Sequence, residues 1–339
     1  MSASSLIFGC EGLELTDREC AFFRDANPWG FILFERNVET PDQMRRLTAA
    51  LRETVGRDCL IFIDQEGGRV QRLRPPHWPD YPAPGRVAAT YDDDPALTRQ
   101  QVYLHHRLIA ADLYDLGITA NCAPMLDMPV DGSDPVISDR ALGRHPEQVS
   151  DLARAAMSGL ISGGVAPVIK HIPGHGRATV DSHKALPVVS EGLDRLSATD
   201  FAPFAALNEA PMAMTAHIVF REVDAAAPVT LSPTALKQIV RDRIGFEGLL
   251  MTDDLDMKAL SGSLAGKTRK SLEAGCDLVL HCSGHFPSMV EIANEAGTLS
   301  GDSAGRADAA QLCAPGPSDF DRVSAWRQFT HAAGLPAEA

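Results

Sequence analysis

The run Val165-Ala-Pro-Val-Ile169 passes directly into Lys170-His-Ile-Pro-Gly-His-Gly-Arg-Ala-Thr-Val-Asp-Ser-His183. A short apolar stretch bounded in this way reads as a buried strand. This one ends in a lysine and a histidine, and the loop beyond it holds more ionisable groups than a plain connection needs. The pattern recurs along the chain. Candidate strands cover 6–10, 30–34, 59–64, 118–126, 167–171, 212–218, 249–253 and 277–282. Their ends carry Asp64, Asp127, Lys170 with His171, His217, Asp253 with Asp254, and His281. Helical patterns fill the intervals at 41–55, 95–116, 146–162, 193–208, 233–244 and 264–274. Thr40-Pro41 and Ser232-Pro233 each put a capping hydroxyl before a proline at the first helical position. Strands alternating with helices predict an α/β fold, and eight of them predict a closed (β/α)8 barrel rather than a doubly wound open sheet. Chemistry in such a barrel gathers at the C-terminal strand ends, where the polar residues stand here.

The bulk properties allow one large α/β barrel or two modest domains. The chain has 339 residues, 45% of them hydrophobic and 22% charged. A net charge of −14 excludes nucleic acid or an anionic membrane surface as the main partner, because either would meet a repulsive field. A locally basic pocket remains open to Arg72, Arg140 and Lys170. The first residues lack the basic segment of a signal peptide, and no stretch approaches the roughly 20 apolar residues that span a bilayer. The seven cysteines are dispersed with no Cys-x-x-Cys pair, so they read as reduced core residues of a cytoplasmic protein. Residues 1–299 are assigned to the barrel and 300–339, rich in small and polar residues, to a peripheral, partly disordered tail.

Several constellations carry chemistry. In Asp181-Ser-His183 an extended backbone would project both side chains to the same side, so the carboxylate could orient the imidazole. Adjacent Asp253 and Asp254 close an apolar run; one is expected to face the barrel mouth, although either could cap a following helix. Asp64 follows a strand, with Arg69 or Arg72 able to return to it across Gly67-Gly68, either as a sugar-binding pair or as a plain ion pair. His171, His175, His183, His217 and His281 could in principle hold Zn²⁺, but Pro173 and Gly174 between the first two disfavour the helical i,i+4 geometry of a zinc pair. His175 reads as scaffold. No phosphate-binding glycine motif is present. Trp78 or Tyr81, in the proline-rich loop 74–84 near the barrel mouth, could form a wall for a sugar face or anchor the loop.

The motifs Asp64-Gln-Glu-Gly-Gly-Arg-Val-Gln-Arg72, Ser138-Asp-Arg-Ala-Leu-Gly143, Lys170-His-Ile-Pro-Gly-His-Gly176 with Asp181-Ser-His183, and Thr252-Asp-Asp-Leu-Asp-Met257, in that order, resemble the bacterial family-three β-N-acetylglucosaminidases. The resemblance spans roughly residues 6–285. It implies that Asp253 is a nucleophile, that His183 is the acid/base assisted by Asp181, and that Asp64, Arg72, Arg140, Lys170 and His171 hold the terminal sugar. No cofactor and no metal are expected. The chain resembles the short Gram-negative type, whose substrate is the muropeptide GlcNAc-β-1,4-anhydro-MurNAc, with or without a stem peptide, in cytoplasmic cell-wall recycling. Two other readings stay open: a phosphorylase, since a histidine repels incoming phosphate less than a carboxylate does, and a non-catalytic sugar-binding protein.

Overall fold

The computed structural model describes residues 2–333. Strands β1 (Ser4–Gly9), β2 (Pro28–Leu33), β3 (Leu60–Ile63), β4 (Ala120–Asn121), β5 (Ala166–Pro167), β6 (Ile169–Ile172), β7 (Val188–Val189), β8 (Met212–Thr215), β9 (Val219–Phe220), β10 (Leu249–Asp254) and β11 (Leu278–His281) alternate with helices. All but β7 and β9, which pair with each other, form one parallel sheet of order β5-β4-β3-β2-β1-β11-β10-β8-β6. The two ends of that order, β5 and β6, are one chain passage separated only by Val168. That passage pairs with β4 on one side and β8 on the other, so the sheet closes into a ring of eight passages. The expected (β/α)8 barrel is the fold.

Side-chain alternation along each strand explains the ring. Ile7, Leu60, Phe62, Met212, Met214, Leu249, Met251, Leu278 and Leu280 fill the barrel interior. Their neighbours Leu6, Phe8, Ile61, Ile63, Ala213, Leu250 and Val279 pack outward under the helices. Both faces are therefore apolar, as a parallel sheet covered by helices requires. Gly30 permits the inner packing: a Cβ there would lie 2.9 Å from both the Leu60 carbonyl oxygen and the Phe62 ring.

The helices Pro41–Val55, Pro146–Ser162 and Leu264–Ala274 fall where the sequence places them. Thr40 accepts from the Gln43 amide at 3.3 Å, and Ser232 from the Ala235 amide at 3.0 Å. Two differences have local causes. The helix expected over 193–208 breaks into Leu193–Ala198 and Ala202–Ala206, because Pro203 has no N–H to donate to the turn before it. The fourth strand shrinks to Ala120–Asn121 because Pro124 interrupts its ladder; Leu126 N nevertheless donates to Lys170 O at 2.7 Å, carrying the ring onward.

Two readings need correction. The proline-rich loop does not stay at the barrel mouth. Tyr81 is buried and donates to Asp112 at 2.6 Å, near the end of the helix Pro95–Asp115, and its ring meets those of His105 and Trp326 edge-on. The loop therefore runs down the barrel flank with Tyr81 and the buried Trp78 as anchors. The stretch after residue 299 is not a loose tail over its described part. The helix Gly301–Leu312 sends Ala304, Ala307 and Ala310 into the cluster that fills the barrel interior. Arg306 reaches Asp277 at 2.9 Å and the Glu247 carbonyl at 3.1 Å, and Gln311 reaches the Asp58 carbonyl. All three partners lie just before strands β11, β10 and β3, so this helix floors the N-terminal end of the barrel. A second helix, Arg322–Ala333, buries Ala325 and Phe329 and pairs Arg322 with Asp112. Alanines at i,i+3 spacing give a weak hydrophobic signal by composition but a face small enough to sit against strand ends. Residues 334–339 lie outside the described residues. Among the described residues no helix is long and apolar enough to cross a membrane.

Candidate active site

Parallel strands deliver their C-terminal residues to one rim. Asp64 leaves β3, Lys170 and His171 lie on β6, Asp253 and Asp254 end β10, His217 follows β8 and His281 ends β11. Lys170 Nζ stands 2.9 Å from Asp64 Oδ1 and 2.7 Å from Glu66 Oε1. Arg72 Nη2 donates to Asp64 Oδ2 at 3.1 Å, whereas Arg69 turns out to Asp139 at 3.2 Å. Arg140 grips Glu66 with both arms of its guanidinium, at 2.8 and 2.7 Å. Burial acts to raise both carboxyls, but Lys170 and Arg72 bring Asp64 down to about 2, and Arg140 with Lys170 holds Glu66 well below its ordinary value. Burial conversely acts to lower Lys170 and Arg140, and the two carboxylates outweigh it and raise both. The network is thus a fixed lattice of charges, able to accept and donate hydrogen bonds to vicinal hydroxyls without rearranging.

His171 Nδ1 lies 2.6 Å from Asp127 Oδ2. On the far side of the mouth, Asp253 Oδ1 accepts the Asp254 amide at 2.8 Å, and its charge is felt by His175, His217, Cys122 and Cys282. Asp254 turns away instead and takes the amides of Asp256 and Cys282, each at 3.2 Å. Burial, with Asp253 next to it, raises the Asp254 carboxyl to about 6 against those hydrogen bonds. The adjacent pair therefore divides as expected, one to the mouth and one away.

Asp181 and His183 pair on the loop, but through a turn and not an extended strand. His183 N donates to Asp181 Oδ1 at 2.9 Å, and its ring Nδ1 stands 3.0 Å from the same oxygen. Lys184 N closes the turn on Asp181 O at 2.8 Å. An aspartate that caps its own turn brings the imidazole back more directly than strand alternation would. Burial acts to raise Asp181, and the backbone and ring bonds from His183 overcome it and hold the carboxyl down. A carboxylate only accepts, so Nδ1 carries the proton and Nε2 is the nitrogen left for exchange. His183 is 69% exposed and makes no hydrogen bond to Asp253 among the described residues, so the loop stands open.

The sequence signature of the glycosyl hydrolase family 3 N-terminal domain matches residues 17–304. This chain belongs to glycosyl hydrolase family 3. It is a glycoside hydrolase. It is 39% identical to a β-hexosaminidase of Alkalilimnicola ehrlichii over 84% of this chain and 82% of that one. It is 37% identical to one of Neisseria gonorrhoeae, over 86% and 81%. Among solved structures, native NagZ from Neisseria gonorrhoeae superposes with a TM-score of 0.85 at 33% identity, covering 99% of this chain and 98% of that one.

Two members of this family-3 site escaped the sequence reading. Glu66, 1% exposed, is the hub that joins Lys170 to Arg140. Its signal was available: Asp64 and Glu66 are two apart on an extended segment leaving a strand, hence on the same side. Asp127 was seen as a strand end but given no partner. Among the described residues, three possible ligands meet only at Asp254, Asp256 and His281, where Lys267 supplies a cation alongside.

Proposed function

We propose that this chain is a retaining exo-β-N-acetylglucosaminidase that releases terminal N-acetylglucosamine from muropeptides, GlcNAc-β-1,4-anhydro-MurNAc with or without stem peptide, in cytoplasmic cell-wall recycling. The observation that carries the reading is the near-complete superposition on the gonococcal enzyme, which has also been solved in complex with N-trifluoroacetyl-D-glucosamine at the same TM-score of 0.85. Asp64, Arg72, Arg140, Lys170 and His171 hold the sugar. Asp253 attacks the anomeric carbon while His183, as imidazolium, gives its Nε2 proton to the departing oxygen. The C–O bond breaks and a glycosyl ester forms on Asp253. Neutral His183 then takes a proton from water, whose oxygen displaces the Asp253 carboxylate with overall retention. Asp181 stabilises the charged ring in the first step and keeps Nε2 facing the reaction in both. Because His183 is exposed, the loop has to close over the bound sugar to bring Nε2 to the leaving oxygen.

Assays with 4-nitrophenyl N-acetyl-β-glucosaminide and the matching glucoside, side by side, test this reading. Turnover of the first and near silence on the second supports it; equal rates, or none, would sink it. Free sugar in phosphate buffer identifies water as the acceptor, and sugar 1-phosphate would replace hydrolysis with phosphorolysis.

His183→Ala separates the proton-transfer role from binding. For glycosides with poor leaving groups kcat/KM should fall by about 10²–10⁴-fold. A dinitrophenyl leaving group needs no proton, so there the fall should stay below about tenfold. Equal losses on both would show that His183 is not the acid.

A further inference from the structure

The carboxylate of Asp127 is fully enclosed, with no side-chain exposure, yet three N–H groups converge on it. His171 Nδ1 reaches Oδ2 at 2.6 Å. Oδ1 takes the His175 backbone amide at 2.6 Å and the His171 backbone amide at 3.3 Å. These amides belong to the segment that starts the 172–185 loop. The same segment is pressed against the next residue after Asp127: a Cβ at Gly176 would lie 1.9 Å from the Met128 carbonyl oxygen. Gly176 O in turn accepts from Ser133 at 2.5 Å, and Asp134 N donates to Ala178 O at 2.9 Å. One buried carboxylate thus touches both a residue of the sugar lattice and the root of the loop that bears Asp181 and His183.

We propose that Asp127 is a positioning residue with two linked tasks: it fixes which nitrogen His171 offers to the sugar, and it pins the root of the 172–185 loop. An ionised carboxylate has no donor, so it forces the proton onto His171 Nδ1 and leaves Nε2 as a lone pair pointing at the sugar pocket. A sugar hydroxyl therefore donates to His171. The same anion accepts from two backbone N–H groups, and for the His175 amide on the loop it is the one acceptor found among the described residues, so releasing it would leave that amide unsatisfied in a buried place. Sugar binding at His171 and closure of the loop share this one anchor.

The assignment of His171 to the sugar rests on the glycosidase reading above; the tautomer and the loop anchor do not. The test is made on the full chain. In Asp127→Asn the amide oxygen stays on the two backbone N–H groups, which cannot adapt. The amide NH₂ then faces His171 Nδ1 and moves the ring proton to Nε2. With ¹⁵N-labelled histidine, two-bond ¹H–¹⁵N couplings should show an Nδ1–H tautomer for wild type and an Nε2–H tautomer for D127N, the resonance being assigned with His171→Gln. Turnover of the aryl N-acetylglucosaminide should fall about tenfold or more in kcat/KM, mostly through KM, because a hydroxyl donor now meets an N–H. In Asp127→Ala, amide hydrogen exchange should quicken at residues 174–178 while the helix Pro95–Asp115 keeps its protection. An unchanged His171 tautomer or unchanged KM in D127N overturns the first task, and unchanged loop exchange in D127A overturns the second. If D127A fails to fold, the same exchange measurement is made on D127N, whose neutral amide oxygen is a weaker acceptor for the two backbone N–H groups: quickened exchange at residues 174–178 supports the anchor, and wild-type protection overturns it. If wild type itself ignores the aryl substrate, the glycosidase reading fails, and the NMR and exchange results still decide the role of Asp127.

Discussion

Asp253→Ala should reduce turnover of 4-nitrophenyl N-acetyl-β-glucosaminide by at least about 10⁴-fold, with the protein still folded and still binding N-acetylglucosamine. Asp253 sits on β10, whose backbone is held by the ring on both sides. Its only side-chain hydrogen bond among the described residues is the one its Oδ1 accepts from the next amide, so removing the carboxylate leaves no large group unpaired. The loss therefore falls on chemistry and not on stability. On the proposed mechanism, the variant would leave the anomeric carbon with no partner on the face opposite the leaving group. Added azide should restore part of the rate by attacking from that face, and the product would be the α-glycosyl azide, of inverted configuration. A 5-fluoro N-acetylglucosaminyl fluoride should label wild type at Asp253, as shown by peptide mass spectrometry. The substrate's own acetamido oxygen is the rival nucleophile for sugars of this class. A variant that keeps turnover, or a trapped enzyme with no label on Asp253, would move the mechanism to that rival.

The second large effect belongs to Glu66. It is buried, touches Lys170 at 2.7 Å and accepts both arms of Arg140. Glu66→Gln keeps the shape but removes the charge and turns an amide NH₂ toward one of two buried cations. Breaking a buried ion pair from one side costs about 3–5 kcal/mol, because the partner charge stays enclosed without compensation. In a chain of this size the melting temperature should drop by roughly 5–10 °C at pH 7, and the affinity for free N-acetylglucosamine should fall as Lys170 and Arg140 lose their common anchor. Scanning calorimetry and titration calorimetry read the two effects. The pH dependence adds a sign. Asp64 falls from 3.8 to about 2 on folding and Glu66 moves in the same direction, so their contribution is complete above their unfolded values and disappears as pH falls through the folded ones. Wild type should therefore lose stability steeply below about pH 4, and Glu66→Gln less steeply, so that the two curves converge in acid. A melting temperature within about 2 °C of wild type at pH 7 would show that Glu66 is not the hub of the network.

Much of this was legible in the residues. Eight apolar runs, six of them ending in named titratable groups, were enough for the barrel, because a parallel strand buried on both faces has to be apolar until it emerges at the rim. Asp64 with Arg72, and Lys170, lie where that rule puts them. What stayed hidden depends on contacts between segments far apart in the chain. The Glu66–Arg140 pair joins residues 74 positions apart, and the role of Asp127 appears only once His171 is brought beside it. The Asp181–His183 pair was recognised, but its geometry was not, since an aspartate turn and an extended strand both bring residues i and i+2 together. The segment after residue 299 was misread for a different reason. Its alanines and serines bury little area each, and their use depends on a surface supplied by strand ends throughout the sequence.

That segment also sets the order in which the protein can be completed during synthesis. The ring closes through β1 and β11, the first and last strands, and the helix that floors it is made later still. While Gly301–Leu312 is still inside the ribosome, the lower layer of the barrel interior, including Ile7, Leu60, Leu249 and Leu278, faces solvent or chaperone. Long-range closure of this kind is slow and leaves apolar surface exposed as it waits. The barrel interior can therefore be sealed only once the helix Gly301–Leu312 has emerged. A chain stopped before residue 301 would carry a full set of rim residues on a vessel with no bottom.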